Sequence, residues 1–205
     1  MTYSSGKVAG ALIFIAVTQF VLGLIVSEAL YSDYSIANNY ISDLGVGPSA
    51  MYFNSSVFLM GLLLIIGAYF LQRAFDFKIL TILLVLTAIG AMGVGIFTEG
   101  FTIKSIHTIV SFIAFIFGGL SAIFSVVCSY VHKFRLVKMP FSAIAVILGL
   151  MTLGALALFA GGIYLGLGKG GMERMIVYPL LMWGTGFGGY LIANPEKPAT
   201  QQKTQ

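Results

Sequence analysis

Apolar residues form six long, continuous runs along the chain, and nearly all charged residues fall between these runs. Each run has about 20 residues, which is enough for one α-helix to cross a bilayer core of about 30 Å. A membrane β-barrel would instead alternate apolar and polar residues along segments of about ten residues. The pattern predicts an all-α, integral membrane six-transmembrane-helix bundle that forms one domain over residues 1–194. The predicted spans are about 8–30, 51–71, 79–98, 107–131, 141–165 and 175–194, and residues 195–205 are a predicted disordered tail.

Composition and charge agree with this class and give it an orientation. Of the 205 residues, 59% are hydrophobic and 9% are charged, whereas a soluble domain carries about 25% charged residues. Six spans place both termini on one side, and the positive-inside rule makes that side cytoplasmic because it holds most of the basic residues. The net charge of +4 therefore indicates topology rather than nucleic-acid binding, and we expect a plasma-membrane protein whose partners are membrane lipids. The basic residues on the terminal side are Lys7, Arg73, Lys78, Lys133, Arg135, Lys138, Lys197 and Lys203.

Polar and ionisable side chains on the opposite, outer side all fall at a similar depth. Glu99 ends the third span and His107 begins the fourth, so a short connector is expected to bring them together. A carboxylate beside an imidazole raises its pKa and orients its ring, as a general base requires. These two residues are the catalytic candidates. The ligand-binding candidates are Glu28, Asn39, Asp43, Glu173 and Arg174, with Arg174 expected to hold an anionic headgroup.

A simpler interpretation of this outer cluster is structural. Charges near helix ends reach water at little cost, and ion pairs between them would only tie the loops together. No metal or other cofactor is predicted, because a catalytic zinc usually has three protein ligands and His107 is the outer one of two histidines. His107 and His132 are separated by about 37 Å along one helix, so they cannot share a haem. A Ser42–Asp43–His107 triad lacks the G-x-S-x-G turn.

Small residues suggest where helices approach one another. The fourth span carries a small or polar residue at every third or fourth position, which predicts either a packing seam or a polar path from His107 to His132. In the sixth span, Gly184 and Gly188 are in G-x-x-x-G register. Glycine-rich faces of this kind are candidates for contact with a partner membrane protein.

Two stretches resemble the signature of a prokaryotic multi-pass membrane family known as domain of unknown function 998. They are N-N-Y-I-S-D-L-G, Asn38–Gly45, and F-N-S-S-V-F-L-M-G, Phe53–Gly61. The later M-E-R and Y-P-L-L-M-W stretches within Met172–Trp183 are similar in order and placement. The resemblance covers all six spans and implies a six-helix membrane fold, but it implies no activity. Where many members carry an F-P-T-D-like stretch, this chain has F-T-E-G, Phe97–Gly100, which retains a carboxylate.

The sequence therefore predicts an uncharacterised membrane protein with an outer-facing polar pocket for a lipid-like or small polar ligand. One alternative is a membrane-embedded lipid hydrolase or transferase that uses the Glu99–His107 pair. Another is a non-catalytic scaffold or accessory subunit that binds its partner through glycine-rich helix faces. A transporter is disfavoured, because no charged residue lies in the middle of a span.

Overall fold

The computed structural model describes residues 4–131 and 136–194, apart from the side chains of residues 104 and 129–131. Within these residues the chain is all-α, and a short 3-10 helix at Ser42–Gly45 is the one addition to six long helices. Each long helix is long and apolar enough to cross a membrane, which confirms the six-helix prediction. His132, several basic residues around it and the tail over 195–205 lie outside the described residues. The helices are α1 (Ser5–Leu30), α2 (Ala50–Phe75), α3 (Lys78–Ile96), α4 (Lys104–Val131), α5 (Phe141–Ala160) and α6 (Gly168–Ala193).

The boundary between α5 and α6 differs from the prediction. The fifth span was expected to reach residue 165, but α5 ends at Ala160. Leu165 and the glycines at 162 and 166 have positive φ, and this left-handed backbone cannot continue a right-handed helix. Since α6 then begins at Gly168 rather than at residue 175, Glu173 and Arg174 lie inside a helix.

The six helices form a closed ring. Each helix packs against the next one along the chain, and α1 closes the ring by packing against α6. Glycine allows these close approaches. A Cβ atom on Gly10 would lie 2.7 Å from the carbonyl oxygen of Gly188, and one on Gly90 would lie 2.5 Å from the amide nitrogen of Ala114. The ring therefore depends on backbone-to-backbone contact at α1–α6 and at α3–α4.

One end of the ring is covered by residues 31–49, and we call this the loop end. The segment turns inward through Ile41 and Leu44, which are buried against Phe20 and Phe53. The Ser49 hydroxyl donates to the Leu44 carbonyl at 3.0 Å. The segment is thus a folded cap with an apolar underside.

The small face of α4 packs inside the bundle. Ala114, Ser121, Ser125 and Cys128 are all buried, and the Ser121 hydroxyl donates to the carbonyl one turn earlier in its own helix at 2.8 Å. This geometry favours the packing seam. The polar path to His132 stays a prediction, because that residue lies outside the described part of the chain.

Candidate functional site

Arg174 lies in the first turns of α6 and fixes the cap to the helices. Its side chain is buried, with 4% of its surface exposed. One terminal nitrogen donates to Glu28 Oε1 at 2.7 Å and to the Tyr34 hydroxyl at 2.6 Å. The other donates to the carbonyl oxygens of Ile36, Asn39 and Gly170 at 3.0–3.3 Å. One guanidinium therefore joins α1, the cap and α6.

These bonds give Arg174 a role other than the one expected from the sequence. The two terminal nitrogens of a guanidinium carry four N–H groups, and all four are directed at groups of the protein itself. The fifth N–H, on Nε, is buried and makes no hydrogen bond within the described residues, and the headgroup role expected for Arg174 stays a prediction. Tyr34 shares the network, because its hydroxyl also donates to the Tyr40 carbonyl at 3.0 Å. Burial raises the pKa of Tyr34 to about 12, against the lowering effect of Arg174.

Asn39 and Asp43 hold the cap in its own fold. Asp43 Oδ2 accepts hydrogen bonds from the Asn39 amide at 3.1 Å and from the Tyr40 backbone N–H at 2.9 Å. The Asn39 side-chain oxygen accepts from the Ser35 N–H at 3.0 Å. Such local side-chain bonds are typical of polar residues in turns. The expected ligand-binding residues of the loop are thus used to shape the loop.

Glu99 and His107 lie at the loop end, as expected, but each bonds to a different group. Glu99 Oε2 accepts from the Ser42 hydroxyl at 2.8 Å. His107 Nδ1 lies 2.7 Å from the Phe97 carbonyl oxygen, and its Nε2 lies 3.4 Å from Ser111 Oγ. Because a carbonyl can only accept, Nδ1 carries the proton, and a neutral ring then offers Nε2 as an acceptor. Among the hydrogen bonds and ion pairs of the described residues, none joins Glu99 to His107.

Glu173 has a much poorer set of partners than its neighbour Arg174. It is buried, with 7% of its surface exposed. Its Oε2 accepts a short hydrogen bond from the backbone N–H of Ile41 in the cap. Within the described residues, the one ion pair of this region joins Arg174 to Glu28 and leaves Glu173 out. A buried carboxylate without a basic partner is costly, so its surroundings are of particular interest.

Those surroundings are an interior cavity of about 110 Å³ at the centre of the ring. Side chains of α1, α2, α3, α4 and α6 line it, and nearly all of them are apolar. On α6 the lining extends from Glu173 to Gly184, about 16 Å along the helix at 1.5 Å per residue. Glu173 and Ser42 stand at the loop end of this cavity, and Trp183 stands near its other end. We call the loop-end side chains Ser42, Ser111 and Glu173 the roof of the cavity.

The register of α4 and α6 places two roof residues at the same level. A Cβ atom on Gly118 would lie 2.9 Å from Leu180 Cδ1, so these two positions are level. Both helices begin at the loop end, and Ser111 and Glu173 each lie seven residues before that point. Ser111 and Glu173 therefore lie at about the same level at the loop end of the cavity.

Sequence reasoning missed Ser111 and Trp183 as members of the site and did not include Ser42 among its ligand-binding candidates. Trp183 stacks on Phe187 with ring centroids 5.2 Å apart and is 5% exposed. Its indole Nε1 is buried and makes no hydrogen bond within the described part of the chain. An indole N–H usually finds a partner when it is buried. One signal was available: a lone tryptophan too deep in its span for the membrane interface.

A second depression lies outside the ring, between α1 and α6. It is an open groove of about 500 Å³ that runs from Glu28 past Leu24 and Thr185. Ile25 and Met182 on its walls are strongly exposed. In a bilayer, ordinary lipid chains cover such a face. The interior cavity, whose lining is largely buried, is therefore the better candidate for a selective site.

Within the described residues, no group of three or more His, Cys, Asp or Glu side chains is arranged to hold a metal ion.

The sequence was compared with protein families, with curated proteins and with solved structures. Residues 10–189 match the model of a family described as "Protein of unknown function (DUF998)". No curated protein and no solved structure matches the chain.

Proposed function

The chain belongs to this family of unknown function, and we propose that it is a multi-pass plasma-membrane protein that binds one lipid-like molecule inside its helical ring. One observation carries the proposal: the buried Glu173 carboxylate lies at one end of an interior cavity whose lining is mostly apolar. Ligand sites are typically concave and mostly apolar, with a few polar groups that fix orientation. The molecule's polar head would contact the roof and its apolar part would lie beside Trp183.

Two further features support an interior site. The Trp183 indole N–H has no partner in the described chain, so the protein's own groups do not fill this part of the cavity wall completely. The cap covers the cavity through Ile41, whose N–H bonds to Glu173. Movement of the cap would expose Glu173 and the cavity at once, which gives the ligand a route from the loop end.

The first experiment measures whether the purified protein retains a molecule from its own membrane. Native mass spectrometry of the protein, released from nanodiscs made with that membrane's lipid extract, would detect a bound adduct. Ala91→Leu places a larger side chain in the cavity wall, and we expect it to lose the adduct. Ala157→Leu makes the same change at an exposed position of α5 and serves as the control. Equal adducts on all three proteins, or no adduct on the native chain, would overturn the proposal.

A second candidate function, acyl transfer or hydrolysis, is favoured by the contact between Ser111 and His107. A nucleophile, a base and a group that orients the base are the usual parts of such a site. Here they are Ser111 Oγ, His107 Nε2 at 3.4 Å, and the Phe97 carbonyl at 2.7 Å from Nδ1. Ser111 also lines the cavity, so an ester bound there would lie within its reach.

The reaction would proceed in two steps. Ser111 Oγ would attack the ester carbonyl while its proton passes to His107 Nε2 and then to the leaving alcohol, which gives an acyl-serine. Water would then release the acid and restore the hydroxyl. A fluorophosphonate probe tests this directly, because it labels a serine activated in this way. Labelling of the native chain, and its loss in both Ser111→Ala and His107→Ala, would support the activity. No labelling of the native chain would exclude it, with Ser125→Ala as the control serine variant.

A scaffold function remains the third proposal. Gly184 and Gly188 pack against α1 of the same chain, because Cβ atoms there would meet Val17 and Phe14. Gly154 and Gly189 instead have open space beside them. These two positions are the ones that a partner helix would contact, and Gly154→Leu together with Gly189→Leu should then abolish co-purification of that partner.

A further inference from the structure

The roof of the cavity offers hydrogen-bond acceptors and negative charge. Among the described residues that line the cavity, none is Lys or Arg, and the single ionisable group is Glu173. Ser42 Oγ donates a hydrogen bond to Glu99 Oε2 at 2.8 Å, which leaves the Ser42 lone pairs available. Ser111 Oγ lies 3.4 Å from the acceptor nitrogen Nε2 of His107 and donates to it, so its lone pairs are likewise available. The roof is therefore suited to a ligand that brings donors.

The neighbouring positive charge does not reverse this character. Arg174 follows Glu173 in the sequence, but its terminal N–H groups are bonded to Glu28, Tyr34 and three backbone carbonyls. It pairs with Glu28 rather than with Glu173. Removal of a carboxylate from water is repaid only when a charge partner and further hydrogen bonds compensate for it. Glu173 has one backbone N–H in this structure, so the missing partner is a cation.

A primary ammonium group fits the roof better than other heads. It carries one positive charge and three N–H donors, and the roof presents acceptor oxygens on three separate segments: the cap, α4 and α6. A phosphate or carboxylate head would place a second negative charge next to Glu173, which is unfavourable in a site with little water. A neutral alcohol would leave the carboxylate without its counter-charge.

From this geometry we infer that the ligand of the interior cavity is an amphiphile with an amine head, its ammonium group held by Glu173, Ser42 and Ser111 and its apolar tail directed toward Trp183. This inference rests on the proposed function, because it names the ligand class of the same cavity. It also gives the two adjacent residues different roles: Arg174 stabilises the cap, and Glu173 selects the ligand.

The test uses three probes with one tail and different heads: octylamine, octanol and octanoate. Trp183 is the single tryptophan of the chain and lines the cavity, so intrinsic fluorescence of the protein in nanodiscs reports occupancy directly. We expect octylamine to cause a saturable change at a concentration roughly tenfold lower than octanol, as one extra charge-assisted contact provides. Octanoate should be the weakest of the three.

Variants then separate the inference from the proposed function. Glu173→Gln keeps the shape and should remove the preference for octylamine over octanol, whereas Asp33→Asn, which neutralises an exposed carboxylate outside the cavity lining, should retain it. Ala91→Leu should remove the saturable response to every probe. If octanol or octanoate binds as well as octylamine, the amine assignment is wrong and the binding function stands. If no probe gives a saturable response that Ala91→Leu abolishes, the binding function itself is wrong. The comparison of probes on the native chain holds even if a variant fails to fold.

Discussion

Glu173 and Arg174 are adjacent on α6, both are buried, and their surroundings differ completely. Arg174 makes five hydrogen bonds that join α1, the cap and α6. Glu173 accepts one hydrogen bond and faces a cavity. Arg174, whose terminal N–H groups all bond within the protein, contributes to stability, whereas Glu173, with one partner, is the group that we propose for a ligand. The comparison teaches that burial and charge alone do not identify a binding residue. The number of partners does.

The largest loss of stability is expected from Arg174→Met. The change leaves the Glu28 carboxylate without its ion pair and the cap carbonyls of Ile36 and Asn39 without the Arg174 donor. Removal of one partner from a buried pair costs about 3–5 kcal/mol, so the thermal unfolding temperature in detergent should fall sharply. Glu28→Gln retains an acceptor for Arg174 and should cost less than half as much. A melting temperature within error of the native protein would show that Arg174 does not secure the cap.

Gly170→Ala should give the next largest loss of stability, because it disturbs the contact between the cap and the backbone of α6. A Cβ atom at Gly170 would overlap the Asn39 carbonyl oxygen and lie 2.6 Å from that of Ile36. Overpacking of this kind costs about 1–3 kcal/mol. Gly189→Ala in the same helix meets nothing within 4 Å, so its higher helix propensity should make it neutral or slightly stabilising. Equal melting temperatures for the two variants would contradict the close approach of cap and helix.

Tyr34→Phe should cost about 1.5 kcal/mol, the value of a hydrogen bond to a charged group. The hydroxyl accepts from Arg174 and donates to the Tyr40 carbonyl, and phenylalanine can do neither. Chemical unfolding of native and variant proteins at neutral pH measures the difference. If the variant is as stable as the native protein, the hydroxyl contributes nothing to the hydrogen bonds that hold the cap to Arg174.

The same residue predicts a pH dependence. The pKa of Tyr34 is raised to about 12 in the folded protein, against about 10 in an unfolded chain. The stability that its protonated hydroxyl contributes is therefore complete below about pH 10 and is lost as the pH rises toward 12. Melting temperatures at about pH 9 and about pH 11 should fall further apart for the native protein than for Tyr34→Phe. If the melting temperatures of the two proteins fall by the same amount, Tyr34 is not the group that causes the pH dependence.

The smallest effect on stability is expected from Glu173→Gln, next to the residue with the largest. Glutamine retains an acceptor for the Ile41 N–H and removes the cost of a buried charge. We expect the free energy of unfolding to change by less than about 1 kcal/mol, in either direction. Thermal unfolding without added ligand, beside Arg174→Met, gives the direct contrast. A loss comparable to that of Arg174→Met would place Glu173 among the structural residues.

The sequence predicts the helices well, because membrane spans depend on composition over about 20 residues. It also places the polar side chains at one end. It does not predict their partners, because most of those partners are backbone groups. The Phe97 carbonyl at the end of α3 has no acceptor role within its helix. It accepts the hydrogen bond from His107 Nδ1, whereas the sequence predicts Glu99 as the partner of His107. The carbonyls of Ile36 and Asn39 likewise bond Arg174.

The cavity is the other feature that a side-chain pattern cannot show. Its volume depends on how five helices and the cap leave space unfilled, and each lining residue taken alone is an ordinary apolar residue. Trp183 illustrates the limit. Its depth in the span indicates packing, which the structure bears out through Phe187, but only the three-dimensional arrangement places it at the wall of a cavity.

The ion pair between Glu28 and Arg174 joins residues 146 positions apart. A ribosome delivers the first of these residues with α1 and the second only with α6. Until the sixth helix enters the bilayer, the cap has no guanidinium to hold it, and the central space stays open along one side of the ring. Biosynthesis of this protein therefore imposes an order of events: the central space closes last, only when insertion of the sixth helix is complete.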